Sequence, residues 1–214
     1  DLQDWRRYFH KHPELSNEEF ETTKTLAKEL ESMGVEVHVD TERGTGLIGI
    51  IHGVKSGKAI ALRADIDALP VQEHNTFDFK SDVDGKMHAC GHDGHMAILL
   101  GAAKMLTSMK DRIEGDVYLA FQPAEETGAG APDFMKFGDW FEKIDAIFGG
   151  HVWIDLPAGL ISVEAGPRMA ASSKITINVK GKQGHGAQPH QAVDAIVVAS
   201  AIVMNLQTVV SRNV

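Results

Sequence analysis

The N-terminal third of the chain changes from a helical spacing of apolar residues to a strand-like alternation. Residues 2–33 predict helix, with Ser16 as an N-cap inside the segment and Gly34 as the stop. Residues 35–39 alternate strictly between apolar and polar, which predicts a strand. Residues 47–52 and 59–64 predict two further strands, joined by a turn-like segment.

The middle third alternates between the two patterns. A helix is predicted from Asp93, its N-cap, to Leu106, followed by a strand over 116–121, a helix over 134–142 and a strand over 145–148. This order predicts an α/β fold with a mostly parallel central sheet flanked by helices. Because ligands sit beyond the carboxyl ends of such strands, we expect three loops to converge at one edge.

The pattern changes again after residue 166. Residues 174–180 alternate as a half-exposed strand, and an apolar helix is predicted over 193–209. We therefore predict a first domain over 1–170, incomplete on its C-terminal side, and the start of an α+β domain over 171–214. One strand, one loop and one helix cannot bury a core, so the second domain is expected to be unfinished at Val214.

Composition argues against nucleic-acid-binding, membrane-spanning and disulfide-bonded proteins. The chain has 214 residues, of which 43% are hydrophobic and 24% charged, as in ordinary globular proteins. Its net charge of −9 argues against nucleic acid or an anionic membrane as a partner, and no apolar run is long enough to span a bilayer. A single cysteine excludes an intramolecular disulfide. No signal peptide is recognisable, so a cytoplasmic location is expected.

Three segments carry the residue types of a metal site. Cys90 and His92 stand two apart beside a glycine, at the start of a helix. Glu125 and Glu126 follow one predicted strand, and His151 follows another. Adjacent glutamates point to different sides, so one can bind metal while the other acts as general base on a water molecule. The pattern predicts metal-assisted hydrolysis, without assigning the two glutamate roles.

Other chemistry-bearing residues have two interpretations each. His88 and His95 either bind metal or orient the loop. Asp65 either orients a ligating histidine or forms a structural pair with Arg63. His185 and His190 are either surface residues or reach over the site to polarise a substrate carbonyl. The string over residues 44–49 matches a dinucleotide-binding pattern, but a strand rather than a helix is predicted after it, so we reject that function.

The chain resembles the aminoacylase/amidohydrolase branch of the M20 metallopeptidases, which includes hippurate hydrolases and auxin-conjugate hydrolases. The resemblance rests on RYFHKHPELS (residues 7–16), LRADIDALP (62–70), HACGHD (88–93), QPAEE (122–126) and GHGAQPH (184–190). It implies a phosphorylase/hydrolase-like, zinc-exopeptidase catalytic domain and a lid that mediates dimerisation. Family members continue beyond this length and supply one more histidine, so the chain is expected to be a little over half of such an enzyme.

The resemblance also implies roles for individual residues. Cys90 would bridge two divalent metal ions, with His92, His151 and Glu126 as further ligands. Glu125 would be the general base, and His185 would stabilise the tetrahedral intermediate, often across a homodimer interface in this family. Asp65 stands where other branches carry a metal-binding histidine, and Asp67 matches a supporting aspartate. The substrate would be a small N-acyl amino acid or a similar amide.

The ligand chemistry leaves the metal open. Thiolate and imidazole favour zinc, and the carboxylates also allow manganese, cobalt or nickel. Two rival functions are considered: a hydrolase that uses Cys90 as its nucleophile, and an inactive fragment that holds a structural metal. The first leaves the glutamate pair without a role, and the second predicts no hydrolysis.

Overall fold

The computed structural model describes residues 1–169 and 174–209 of the chain. They belong to two compact units, one over Asp1–Leu160 and a second from Ile161 onward. The predicted domain boundary near residue 170 falls at residues 170–173, which are outside the described residues. It therefore stays a prediction.

The first unit is built from five helices and five strands among its described residues. The helices are α1 (Leu2–Lys11), α2 (Phe20–Ser32), α3 (His92–Ser108), α4 (Gly130–Phe134) and α5 (Trp140–Lys143). The strands are β1 (Glu36–Val39), β2 (Leu47–His52), β3 (Ile60–Asp65), β4 (Asp116–Gln122) and β5 (Ala146–Gly149). All five strands were predicted to within about two residues at each end.

The strands form one sheet in the order β1-β2-β4-β3-β5. Strand β3 pairs in parallel with β4 and β5, whereas β2 pairs antiparallel with β1 and β4. The α/β class is confirmed, but the sheet is mixed rather than mostly parallel. The short connection between β1 and β2 is one reason, because a parallel pair needs a crossover of roughly a dozen residues or more.

Both faces of the sheet are covered. Strand β4 shows this best, because Leu119 joins a core with residues of α2 and α3, whereas the adjacent Tyr118 joins a second core with Phe134 and Trp140. Burial on both faces explains why β4 is an almost continuous apolar run. Strand β4 lies between β2 and β3, and the edge at which β3 and β4 end carries the candidate site.

The predicted helix over 2–33 is wrong in its middle, where the chain leaves helical geometry between α1 and α2. Pro13 cannot continue a helix because it has no N–H to donate, and Asn17 takes a left-handed φ of 66°. Ser16 is therefore not a cap; the N-cap of α2 is Glu19. The Glu14 carboxylate accepts hydrogen bonds from the first backbone amides of α2 instead.

Two further helix predictions need correction. The N-cap of α3 is Gly91 rather than Asp93, which lies in the first turn and is buried. The predicted helix over 134–142 is replaced by the short α4 and α5, separated at Gly138, whose φ is +62°. A left-handed residue ends a right-handed helix.

The second unit contains helix α6 (Ala195–Leu206), within the predicted range 193–209. The predicted strand over 174–180 is wrong: these residues are described and have no strand assignment. A strand requires a hydrogen-bonded neighbour, and the described part of this unit offers only an isolated bridge between Lys182 and Val193. Within the described ranges, no helix has both the length and the apolar character needed to cross a bilayer.

Candidate metal centre

The candidate centre lies at one edge of the sheet, where the parallel strands β3, β4 and β5 end. Asp65 ends β3, Glu125 lies three residues beyond β4, and His151 lies two residues beyond β5. The start of α3 brings His92 to the same edge, together with Cys90, which directly precedes the N-cap of this helix. The expected convergence of loops is confirmed.

Cys90 and His151 face each other. The Sγ atom of Cys90 lies 3.5 Å from Nε2 of His151. The His151 ring donates from Nδ1 to the carbonyl oxygen of Val152, which leaves a lone pair on Nε2. A sulfur and an imidazole nitrogen that share one tetrahedral zinc ion would lie about 3.5 Å apart, given Zn–S near 2.3 Å and Zn–N near 2.0–2.1 Å.

His92 is fully buried and has one ring nitrogen without a partner. Its Nδ1 donates to the carbonyl oxygen of Asp67 at 2.8 Å. Its Nε2 has no hydrogen-bond partner and lies 3.8 Å from Oε1 of Glu126 and 4.0 Å from Oε2 of Glu125. The hydrogen bond at Nδ1 fixes the tautomer in which Nε2 is free to bind a cation.

The two glutamates differ in surroundings. Oε1 of Glu126 is buried and has no hydrogen-bond partner, whereas the Glu125 side chain is 41% exposed. The turn that carries them begins at Ala124, which takes a left-handed conformation with φ 55° and ψ 39°. Its N–H donates to the buried carboxylate of Glu19 at 2.8 Å, and the Glu126 N–H donates to Asp67 at 3.0 Å. The residue pattern left the two roles open, and the resemblance implied Glu126 as ligand and Glu125 as base; that assignment stays a prediction, which the deeper burial of Glu126 supports.

The residues present fit a divalent cation. Buried polar atoms are rarely left without partners, yet Nε2 of His92 and Oε1 of Glu126 both lack one and lie near each other. Burial, followed by the negative charge of Glu126, raises the pKa of the Cys90 thiol to about 12 without a cation. A positive ion would reverse that effect, because it stabilises thiolate and carboxylate together.

Asp65 forms the predicted pair with Arg63 and also binds a histidine, His95, that is not among the predicted metal ligands. Its Oδ2 accepts from Arg63 at 2.8 Å and its Oδ1 accepts from Nδ1 of His95 at 2.6 Å. Burial alone would raise the pKa of this carboxyl, but the hydrogen bond from His95 and the charge of Arg63 lower it to about 2. The Nε2 of His95 accepts from the N–H of Val152 at 2.9 Å. Both ring nitrogens of His95 are therefore occupied by protein groups.

The remaining predicted residues, His88 and His185, are not among the groups of possible metal ligands that the described residues form. His88 is buried with both ring nitrogens unpartnered, and burial lowers its pKa to about 4. His185 lies in the second unit, exposed, and its Nδ1 accepts from the Ala187 N–H at 3.1 Å. Its role at the site stays a prediction.

Sequence reasoning missed two supports of the centre. Glu19 is fully buried beneath the glutamate turn, and Ser16 donates to Asp67 at 2.7 Å. Ser16 stands in one of the motifs that carry the family resemblance, so it had a signal, although we interpreted it as a helix cap. Glu19 directly follows Glu18, and no pattern in the sequence indicates which of the two is buried.

Comparison with known proteins finds a matching family model and similar chains. Residues 61–212 match the family model described as peptidase family M20/M25/M40. An N-acyl-L-amino acid amidohydrolase of Geobacillus stearothermophilus is 44% identical over 98% of this chain and 56% of its own length. IAA-amino acid hydrolase ILR1-like 5 of Arabidopsis thaliana is 45% identical over 99% of this chain and 49% of its own.

A solved structure shows the same relationship in three dimensions. It is a dinuclear metal-binding peptidase of the M20 family from Bacillus subtilis, with a TM-score of 0.75 and 46% identity over 78% of this chain and 46% of that chain. The chain thus spans about half the length of the curated relatives it matches.

Proposed function

The chain belongs to peptidase family M20/M25/M40, and from that premise we propose that it carries the metal centre of an amidohydrolase that cleaves N-acyl amino acids or similar small amides. One observation supports this above the others: sulfur, nitrogen and carboxylate ligand atoms meet around His92, with an exposed carboxylate beside them. Two relatives are named for hydrolysis of N-acyl-L-amino acids and of IAA-amino acid conjugates.

In this proposal Cys90, His92, Glu126 and His151 would hold two divalent cations. The unpartnered atoms of His92 and Glu126 and the short distance between Cys90 and His151 support the assignment. Zinc or manganese fits the mixed thiolate, imidazole and carboxylate set, and cobalt or nickel is an alternative. Bound cations of this kind lower the pKa of a coordinated water molecule.

Glu125 acts as the general base in this proposal. Its carboxylate is exposed enough to meet substrate, yet lies 4.0 Å from the ligand nitrogen of His92. It accepts a proton from the attacking water and returns it to the leaving nitrogen of the amide. Asp67 does not move a proton: its carboxylate accepts from the Glu126 N–H, and its backbone carbonyl accepts from the His92 ring.

Finer features of the function are part of the same proposal. His185 stabilises the tetrahedral intermediate, and the whole protein forms a homodimer through the second unit. Exposed apolar side chains on α6, such as Ile196 at 78% and Met204 at 69%, support such an interface. The location is cytoplasmic. Light scattering after gel filtration tests the dimer, which a monomer at micromolar concentration would contradict.

The main experiment compares Glu125→Gln with Glu126→Gln. Glu125→Gln keeps its metal but loses about 10²–10⁴-fold in turnover of an N-acetyl amino acid, because only the base is removed. Glu126→Gln loses metal as well as turnover. Elemental analysis and an amine-release assay on both variants measure the two effects. Wild-type turnover in Glu125→Gln would overturn the proposed base.

A cysteine-nucleophile hydrolase is the second candidate, because Cys90 and His151 form a pair at 3.5 Å that resembles a catalytic dyad. Nucleophilic cysteines have a lowered thiol pKa, whereas burial and nearby carboxylates raise the pKa of Cys90 to about 12. The electrostatics therefore favour a metal ligand over a nucleophile.

A further inference from the structure

His95 lies next to the candidate centre without being free to bind metal. It is 5% exposed, and its ring lies 4.6 Å from the ring of His151. The backbone N–H of Val152 can only donate, so Nε2 of His95 must carry the lone pair that accepts it. The proton is then on Nδ1, where it is donated to Asp65. Both ring nitrogens of His95 are thus occupied, Nδ1 as donor and Nε2 as acceptor.

The residue that His95 holds is the neighbour of a proposed metal ligand. The N–H of Val152 donates to His95, and the carbonyl oxygen of Val152 accepts the Nδ1–H of His151. The two peptide groups that flank Val152 are therefore fixed from two sides. The second of these bonds sets the rotation of the His151 ring and turns its Nε2 toward Cys90 at 3.5 Å.

The other end of this chain of hydrogen bonds is anchored in the sheet. Asp65 at the end of β3 is bound by Arg63, whose guanidinium also donates twice to Oε1 of Gln122, at 2.9 and 2.7 Å. Gln122 ends β4. Hydrogen bonds therefore connect the ends of β3 and β4 to Asp65, and Asp65 to His95. His95 in turn is hydrogen-bonded to the loop that follows the exposed strand β5.

We propose that His95 is a positioning residue that orients His151 for the metal through the backbone of Val152. The inference rests on the proposed function, because it assumes that His151 binds metal next to Cys90. It assigns to His95 an effect on metal affinity without a bond to the metal.

Two substitutions separate this role from a general structural one. The side-chain nitrogen of Asn takes the place of Nδ1, so His95→Asn keeps the bond to Asp65 and loses the acceptor for Val152. The side-chain amide of Gln reaches the place of Nε2, so His95→Gln offers Val152 an acceptor. We expect His95→Asn to bind Co²⁺ about 10–100-fold more weakly than wild type, and His95→Gln to recover most of that loss.

The test is a Co²⁺ titration of the protein, followed by the thiolate charge-transfer band of Cys90, with His151→Asn as a control that removes a ligand. The number of ions bound at saturation should equal that of wild type in both His95 variants and fall in the control. Equal affinities in wild type and His95→Asn would overturn the inference, and so would loss of one ion in both His95 variants, which would make His95 a ligand. If wild type binds no Co²⁺, the proposed function and this inference fail together.

A measurement on the wild-type protein covers the case in which a variant does not fold. The ¹⁵N shifts of the imidazole rings report which nitrogen carries a proton or a metal. On addition of Zn²⁺, we expect Nε2 of His151 to shift to a metal-bound value, while His95 keeps its proton on Nδ1 and a metal-free Nε2. A metal-bound shift at Nε2 of His95 would overturn the inference.

Discussion

The two sides of the candidate centre differ in burial and in how completely their polar atoms are partnered. We call Asp65, Asp67, His92 and His95 the buried side; each is at most 5% exposed. Cys90, Glu125, Glu126 and His151 form the open side, and all four are at least partly exposed. The buried side belongs to the end of β3 and to α3, whereas most of the open side belongs to loops.

The difference indicates that the two sides have different functions: the buried side fixes the geometry, and the open side is available for binding. Most polar atoms of the buried side are hydrogen-bonded within the protein. These bonds fix the tautomers and the ring orientations of His92 and His95 before a ligand binds. The open side presents atoms toward solvent and substrate. Its one buried orphan, Oε1 of Glu126, faces the orphan Nε2 of His92 on the other side. A cation between the two sides would satisfy both.

Removal of metal should have the largest effect, because it separates the two sides. After treatment with EDTA we expect turnover of an N-acetyl amino acid to fall by at least about 10³-fold and to return when Mn²⁺ or Zn²⁺ is added. Turnover that survives chelation but is lost on alkylation of Cys90 would instead support the cysteine-nucleophile function.

Glu19→Gln tests the support beneath the open side. Burial raises the pKa of Glu19 to about 7, so between roughly pH 4.5 and pH 7 the folded state holds a proton that the unfolded chain has released. This group therefore lowers the free energy of unfolding as pH rises through that window. The variant should lose this dependence, which amounts to about 2–3 kcal/mol between pH 5 and pH 8.

Urea unfolding at pH 5 and pH 8, in the presence of EDTA, measures the Glu19 effect. Glu18→Gln is the matched control, because Glu18 is the exposed neighbour and pairs with Lys86. His88 contributes with the opposite sign, since its pKa is lowered to about 4 by burial, so it stabilises less as pH falls from about 6.5 to 4. That contribution is common to all three proteins and cancels. Equal pH dependence in Glu19→Gln and wild type would contradict the prediction.

Asp67→Asn tests whether the two sides are coupled. Asp67 lies on the buried side, 3.3 Å from Nδ1 of His92, yet its Oδ2 accepts from the Glu126 N–H on the open side. Loss of the carboxylate should weaken Zn²⁺ binding by about 10–100-fold through both ligands at once. Ser16→Ala removes only the hydroxyl that donates to Asp67 and should have a smaller effect. Isothermal titration with Zn²⁺ compares the two, and unchanged affinity in Asp67→Asn would mean that the sides are independent.

The sequence indicated residues on both sides of the centre, but it did not predict most contacts of the buried side. Glu125, Glu126 and His151 follow predicted strands, where a polar residue after an apolar run is visible without a structure. The contacts of the buried side join residues far apart in the chain, such as Asp65 with His95 and Glu19 with Ala124. Periodicity carries no information on such pairs. The strands were predicted well because β2 and β4 lie in the core, whereas the break near Pro13 was missed because the helical spacing resumes after it.

Gly91 joins the two sides, and its substitution gives the smallest expected effect. Its φ is +91°, and a Cβ there would lie 2.4 Å from Cγ2 of Val152. Gly91→Ala should therefore lower the free energy of unfolding by about 1–2 kcal/mol from the left-handed backbone alone, and it should weaken metal binding because Val152 must move. Gly94 is the matched control: it lies inside α3, where a Cβ would meet Val152 at 3.8 Å, an ordinary contact. Gly94→Ala should be neutral or stabilise by up to about 1 kcal/mol. Equal stability of the two variants in urea unfolding would contradict the cost that the left-handed backbone and the nearby Val152 assign to a side chain at Gly91.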